Sequence, residues 1–307
     1  MFTKKLSGGD SNTLLGILAI VFWGSTVAFS RSLTEQLGTV TAGGLVFTLS
    51  ALFAWLYILM TSPRLLKKML QLPPNYLWGC GVLFVIYMTT LYLAIGLSYN
   101  RQQVVEISII NYLWPGLTLL LSVPILKKQA KLLIIPGIIL GFIGVYIAMN
   151  PYYSFSFIPF FQNIKNNALP YIFAFIAAIS WALYSTFARK WAAKDEEGAV
   201  PIFLLFTGIA LLLLRLFFQE ESTWCIKTGI ELLYMAFFPT FLAYSFWDKA
   251  MRRGNIVLVA ALSYFTPLLS VFITSIYLQV SIDIRLWVAL LLVVAGALIS
   301  KYSISEN

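Results

Sequence analysis

The 307-residue chain contains no histidine. That removes the commonest metal ligand, the usual general base and any imidazole proton relay. Cysteine is almost as scarce. Cys80 and Cys225 stand alone in no ligand spacing, and the topology derived below sets them on opposite sides of a bilayer. Neither a disulfide nor a metal site follows, and no cofactor is expected. Charge is low as well, at 11% of residues against 60% hydrophobic, with a mean hydropathy of +0.86. So few polar side chains cannot cover a water-soluble surface, and the composition is that of a membrane protein. A net charge of +9 would suit a nucleic-acid partner if the basic residues shared one face, but they are scattered singly between apolar runs. The bilayer is the expected partner, and nucleic acid is not.

What the chain has is long apolar runs. They fall at about 13–33, 41–61, 76–98, 103–124, 132–149, 169–190, 199–218, 229–249, 255–278 and 286–302. A spanning helix takes about 20 residues, so the expectation is ten transmembrane helices in an all-α membrane protein. A β-barrel would need short alternating strands, whereas these runs are continuous and rich in Leu, Ile and Phe. SGGDSN separates Lys4 and Lys5 from the first run, which lacks a small-residue cleavage site and reads as a span rather than a signal peptide.

Basic residues set the orientation, because cytoplasmic loops carry their excess. With the N-terminus inside, the inner segments hold Lys4, Lys5, Arg64, Lys67, Lys68, Lys127, Lys128, Lys131, Arg189, Lys190, Lys194, Lys249, Arg252, Arg253 and Lys301. Only Arg31, Arg101, Lys165, Arg215, Lys227 and Arg285 remain outside. Both termini are expected in the cytoplasm.

The chain also repeats itself. AIVFWGSTVAFSRSL from Ala19 matches AAISWALYSTFARKW from Ala177, pairing Trp23 with Trp181. YLAIGLSYNRQQVVEISIINYLWP from Tyr92 aligns without a gap to YSFWDKAMRRGNIVLVAALSYFTP from Tyr244, pairing Asn111 with Ser263 and Pro115 with Pro267. The halves, 1–150 and 169–307, hold five spans each and are joined by an extracytoplasmic connection at 151–168. An odd number of spans inverts the second half relative to the first. Inverted repeats recur in secondary transporters, whose substrate site lies near the midplane between halves.

Polar residues mark that site. Proline has no N–H, so Pro115 should leave the carbonyl of Asn111 without its helical partner, and Pro267 that of Ser263. At 100° per residue, Asn111, Pro115, Thr118 and Ser122 share a stripe with counterparts Ser263, Pro267, Ser270 and Thr274. Trp23, Thr26 and Ser30 line the first span, Trp181, Tyr184 and Ala188 the sixth, Tyr92 the third, and Tyr244, Asp248 and Met251 the eighth. Spans 1, 3, 4, 6, 8 and 9 should therefore surround a central cavity, with 2, 5, 7 and 10 outside. Trp55, Trp78, Trp191, Trp224 and Trp287 lie near span ends as interfacial anchors. Trp23, Trp114 and Trp181 are deeper and either line the cavity or pack the core. Single Ser and Thr hydroxyls commonly bond back to their own helix. Glycines 137, 141 and 144 form a close-packing face, for internal packing or for a dimer. Glu106 either snorkels or pairs with Arg101, or else receives a ligand ammonium or titrates as a gate; it is the one deep carboxylate expected to matter. Asp248 and Lys249 read as an interfacial ion pair.

The paired segments EISIINYLWPGLTL and LSYFTPLLSVF, the ten spans and the inverted halves resemble the drug/metabolite transporter superfamily with its EamA-type repeats, and within it the bacterial aromatic amino acid exporters. That resemblance implies export of Trp, Phe and Tyr, and of flat cationic drugs, across the bacterial inner membrane by a multi-pass carrier acting as a monomer or weak homodimer. Many EamA repeats place a Glu at the inner end of the proline-bearing helix, where this chain has Lys127 and Gln279, so that residue's role does not carry over. The candidate substrate-binding residues are Trp23, Thr26, Tyr92, Glu106, Asn111, Trp114, Trp181, Tyr184, Tyr244, Ser263 and Thr266, with helix breaks at Pro115 and Pro267. A zwitterion needs acceptors for its ammonium and donors for its carboxylate, and rings to stack on its side chain. No nucleophile with a base, facing acid pair or metal set is found, so an enzyme is not expected. The alternatives are a transporter of another small metabolite or lipid precursor, and a membrane interaction protein that transports nothing.

Overall fold

A computed structural model describes residues 8–61, 63–99, 101–149, 158–195, 197–278 and 284–305. Lys4, Lys5 and Gln279, and much of the 151–168 connection, lie outside the described residues, as do the side chains of Arg31, Arg101, Thr274 and Arg285. The described chain is helical, with one isolated antiparallel bridge, Ala130 to Ile304. In order the helices are α1 (Gly8–Gly24), α2 (Thr26–Leu37), α3 (Thr39–Thr61), α4 (Arg64–Leu70), a π-helical turn (Asn75–Cys80) running into α5 (Gly81–Gly96), α6 (Arg101–Asn111), α7 (Trp114–Ile125), α8 (Ile134–Met149) and α9 (Ile158–Asn166). Then come α10 (Leu169–Ala192), α11 (Val200–Arg215), α12 (Ile226–Met235), a second π segment (Ala236–Leu242) continuous with α13 (Ala243–Arg253), α14 (Ile256–Leu262), α15 (Phe265–Leu278) and α16 (Ile284–Ser303).

Five stretches are long and apolar enough to cross a bilayer: Thr39–Thr61, Asn75–Gly96, Glu106–Ile125, Leu169–Ala192 and Ile226–Arg253. Shorter apolar helices lie between them. Each of the ten expected runs coincides with a helix or with two helices in line. Two short helices were not expected: α4 lies between the second and third spans, and α9 lies within the connection between halves.

The packing repeats at a distance of five spans. α3 packs on α11 and α8 on α16, each a span against its own repeat mate. α1 packs on α13 and α10 on α5, so first-with-eighth answers third-with-sixth. The fourth span lies on α10 as the ninth lies on α1. Close backbone approach makes the α8–α16 contact: a Cβ on Gly296 would lie 2.5 Å from the Gly141 nitrogen and 2.6 Å from the Gly137 oxygen. The glycine face is thus spent inside the molecule, as small residues commonly are between membrane helices.

The spans break where the polar residues sit. α6 gives way to α7 through a turn at Tyr112 and Leu113, and α14 to α15 through Ser263 and Tyr264. The expectation of a freed carbonyl fails at Ser263. Thr266 N–H donates to the Ser263 carbonyl at 3.0 Å. The turn tightens to three-residue bonds there and recovers the acceptor that Pro267 would have left open. The first span, expected as one run, is also divided, at Ser25. The Ser25 hydroxyl bonds the Phe22 carbonyl at 2.7 Å and meets the Tyr234 hydroxyl at 2.8 Å.

Outside the break, α2 is tied to the connection between the seventh and eighth spans. Thr223 N–H donates to the Gln36 carbonyl at 2.8 Å and the Ser222 hydroxyl to that of Leu37 at 3.0 Å. Glu220 caps α3 by accepting from the N–H groups of Val40 and Thr41 at 2.9 and 2.8 Å. Gly38 admits that carboxylate: its φ of +84° suits glycine, and a Cβ would strike the Glu220 side chain.

Candidate functional site

The deep aromatic residues meet at Trp181. Around its ring, centroid to centroid, lie Tyr87 at 4.6 Å, Tyr184 at 4.9 Å, Tyr244 at 5.6 Å, Trp23 at 5.8 Å, Phe84 at 5.8 Å, Trp247 at 6.0 Å and Trp114 at 6.4 Å. These rings come from the first, third, fourth, sixth and eighth spans, five of the six expected to face inward. Five of the sequence candidates, Trp23, Trp114, Trp181, Tyr184 and Tyr244, are thereby brought together. Tyr92 joins them through Phe47, whose ring is 6.2 Å from Tyr92 and 6.0 Å from Tyr244. Gly43 makes room for Tyr92, since a Cβ there would lie 2.5 Å from its ring. Trp114, Trp181, Tyr184 and Trp247 are buried, whereas Trp23, Tyr92 and Tyr244 stay half-buried.

The polar atoms of these rings are placed individually. Trp23 Nε1 donates to the Pro239 carbonyl at 3.0 Å in the second π segment, where irregular backbone offers an acceptor. Trp247 Nε1 donates to Ser185 Oγ at 3.1 Å, and the Tyr244 hydroxyl reaches Met88 Sδ at 3.6 Å.

The hydroxyl stripes divide in two. Thr118, Ser122 and Ser263 bond back to the carbonyls of Trp114, Leu119 and Ala260 at 2.8, 2.7 and 2.6 Å. Ser263 is also fully buried, so its hydroxyl is used up by its own helix. Thr26 Oγ1, Asn111 Oδ1, Thr266 Oγ1 and Ser270 Oγ are buried and have no partner. A buried polar atom without a partner is costly and rare, and Thr26, Asn111 and Thr266 lie beside the breaks at Ser25, Pro115 and Pro267. None of the four side chains is ionised.

Glu106 is elsewhere. It accepts from Asn163 Nδ2 at 3.2 Å to each oxygen and from the Tyr171 hydroxyl, so it joins the fourth span to α9 and α10. It is not the most buried carboxylate. Asp248 is 1% exposed and Glu231 6%. Glu231 Oε1 is 3.7 Å from Lys227 Nζ and its Oε2 has no partner. The expected Asp248–Lys249 pair is not formed. Lys249 is exposed, and Asp248 Oδ2 instead accepts from Arg252 Nε at 2.7 Å, because residues four apart share a helix face and neighbours do not.

Sequence reasoning missed Phe84, Tyr87, Met88 and Trp247. The first and third of these lie at four-residue steps before Tyr92, so the stripe on the third span continued inward and was cut short. Trp78, Trp224 and Trp287 are exposed at 71%, 60% and 56%, as membrane-interface rings are.

The EamA-like transporter family model matches residues 11–150 and again 168–302. The chain is 32% identical to the aromatic amino acid exporter YddG of Escherichia coli K12, over 94% of this chain and 95% of that protein. It is 29% identical to the YddG of Salmonella typhimurium 14028s, over 94% and 95%. The YddG of Ancylobacter novellus is 27% identical over 95% and 97%. A solved crystal structure superposes with a TM-score of 0.78 at 25% identity, covering 94% of this chain and 97% of that one. Matched along both halves and almost end to end by these relatives, this multi-pass membrane protein belongs to the EamA-like transporter family.

Proposed function

We propose that the protein exports aromatic amino acids from the bacterial cytoplasm by alternating access, and that the Trp181 ring cluster with the unpartnered atoms of Thr26, Asn111 and Thr266 is its substrate site. The single observation that carries this reading is the conjunction of these two features. Rings recognise a flat side chain, and the Asn111 oxygen accepts from an ammonium while the Thr hydroxyls donate to a carboxylate. With no ionised group at the site, a zwitterion enters without leaving a net charge there, which a low-dielectric site would resist. Three relatives named as aromatic amino acid exporters support the same cargo. Flat cationic drugs fit the rings through cation–π attraction.

In this reading the halves are 1–150 and 169–307, both termini face the cytoplasm of a bacterial inner membrane, and a monomer or weak homodimer suffices. The test is counterflow in proteoliposomes holding only this protein, with labelled tryptophan, phenylalanine and alanine. Tryptophan and phenylalanine should accumulate at least tenfold faster than alanine. Equal rates for the three would replace the aromatic cargo with a general metabolite, and no flux of any would remove the transport reading.

A further inference from the structure

Asp248 stands at the centre of a buried network that meets the proposed substrate site only at Tyr184. Its Oδ1 accepts from the hydroxyls of Tyr76 at 2.7 Å and Tyr184 at 2.9 Å, and its Oδ2 from Arg252 Nε. Arg252, 1% exposed, donates onward from Nη1 to the Asp195 carbonyl at 2.5 Å. The Tyr76 hydroxyl in turn accepts from Ala199 N–H at 3.1 Å. The connection before α11 closes down on the carboxylate so tightly that a Cβ on Gly198 would sit 2.2 Å from Asp248 Oδ2.

The membership of this network is uneven. Asp248, Arg252, Asp195, Tyr184 and Ala199 all belong to the second half of the chain, and Tyr76 alone comes from the first. Parting the halves at this point therefore breaks the hydrogen bonds of one neutral phenol and the contact of its ring with the Arg252 guanidinium, 5.8 Å from the ring centroid, and leaves the ion pair intact. Splitting a buried ion pair would strand a charge in the membrane. Losing a phenolic hydrogen bond costs far less, and water entering the gap replaces it. A contact across the seam that opens cheaply while its charges stay compensated has the properties of a gate.

We propose that Tyr76 and Asp248 form a latch that holds the permeation path shut on the side of the membrane bearing the chain termini, and that Tyr184 is the positioning residue linking it to the ring cluster. Tyr184 stacks on Trp181 at 4.9 Å and 28° while donating to the same oxygen as Tyr76. An aromatic ligand that displaces Tyr184 from Trp181 therefore changes what holds the latch; this second link rests on the substrate reading above, whereas the latch itself does not.

Cys80 is a native reporter. It lies one turn beyond Tyr76, is fully buried, and its Sγ is 3.9 Å from the Tyr184 carbonyl. In a Cys225→Ser background it is the sole thiol, and a membrane-impermeant methanethiosulfonate is added from the termini side without substrate. Tyr76→Phe removes one hydroxyl, and Gly198→Ala pushes the connection off Asp248. Each should raise the rate of Cys80 modification at least tenfold over the parent. Folding is read by size-exclusion profile, and either variant suffices if the other does not accumulate. An unchanged Cys80 rate in a folded variant overturns the latch, and so does a rise of equal size in Gly296→Ala, which loosens packing remote from it. With no latch substitution, saturating tryptophan should change the parent's rate at least threefold, and Tyr184→Phe should abolish that change. No response in vesicles that do exchange tryptophan overturns the Tyr184 link. Vesicles that exchange no tryptophan count against the substrate reading, while the first arm still decides the latch.

Discussion

Two hydroxyls three residues apart across a helix break have opposite fates, and in the proposed reading the difference separates scaffold from site. Ser263 satisfies itself on the Ala260 carbonyl, whereas Thr266, three residues on, leaves its oxygen buried and empty. Asn111→Ala and Thr266→Val should each lower tryptophan counterflow by about tenfold, the loss of one hydrogen bond to a charged ligand group. Ser263→Ala should stay within twofold of the parent rate in the same assay. Glu106 belongs to the scaffold by this criterion. Its bonds to Asn163 and Tyr171 make Glu106→Ala a stability change of about 1–3 kcal/mol, read as a Tm lowered by several degrees in detergent. The residue types were legible in the sequence, because aromatic and polar positions recurred at matching offsets. Their partners were not: whether a Ser turns back on its own helix depends on rotamer and neighbours, and Arg252 reads as one of a basic cluster at a span end until the fold buries it.

At the scale of elements, the continuous apolar runs gave the spans, and proline gave two of the breaks. Pro115 sits two residues, and Pro267 three, past a turn that interrupts a helix. The break at Ser25 has no proline; it falls on the Gly24–Ser25 pair, where the Ser25 hydroxyl also meets the Tyr234 hydroxyl of the eighth span. The π segments do carry prolines, Pro74 just before the first and Pro239 inside the second. Glycine spacing was the most informative short pattern, since the face at 137, 141 and 144 found its partner within the chain. Gly296→Ala tests that contact. Its added methyl meets backbone on two sides, so about 1–3 kcal/mol of overpacking should appear as lower yield and a reduced Tm. Transport per folded molecule should change less than twofold.

For the whole molecule, the equivalence of the two halves was readable because the repeat survives as aligned tryptophans and prolines, and the packing of α3 on α11 and α8 on α16 follows its symmetry. Orientation is a separate matter, set by the basic residues. It predicts that exposed Cys225, at the start of α12, is labelled by an impermeant maleimide added to intact cells, and that fully buried Cys80 is not. A hydrogen bond with Thr228 holds the Cys225 thiol below its usual range. Its labelling should therefore persist to lower pH than that of a free cysteine peptide and fall only as the thiolate is protonated.

The first span bends at Ser25, while its repeat mate, α10, runs unbroken from Leu169 to Ala192. Near-identical architecture thus carries a joint on one arm and a stiff beam on the other. In the alternating-access reading proposed above, inward and outward swings are then not mirror images, and their speeds are expected to differ. For a carrier running only downhill, that inequality fixes which half-cycle is slow and leaves the final concentration ratio untouched, so the kinetics of uptake and release should differ even where their equilibrium does not.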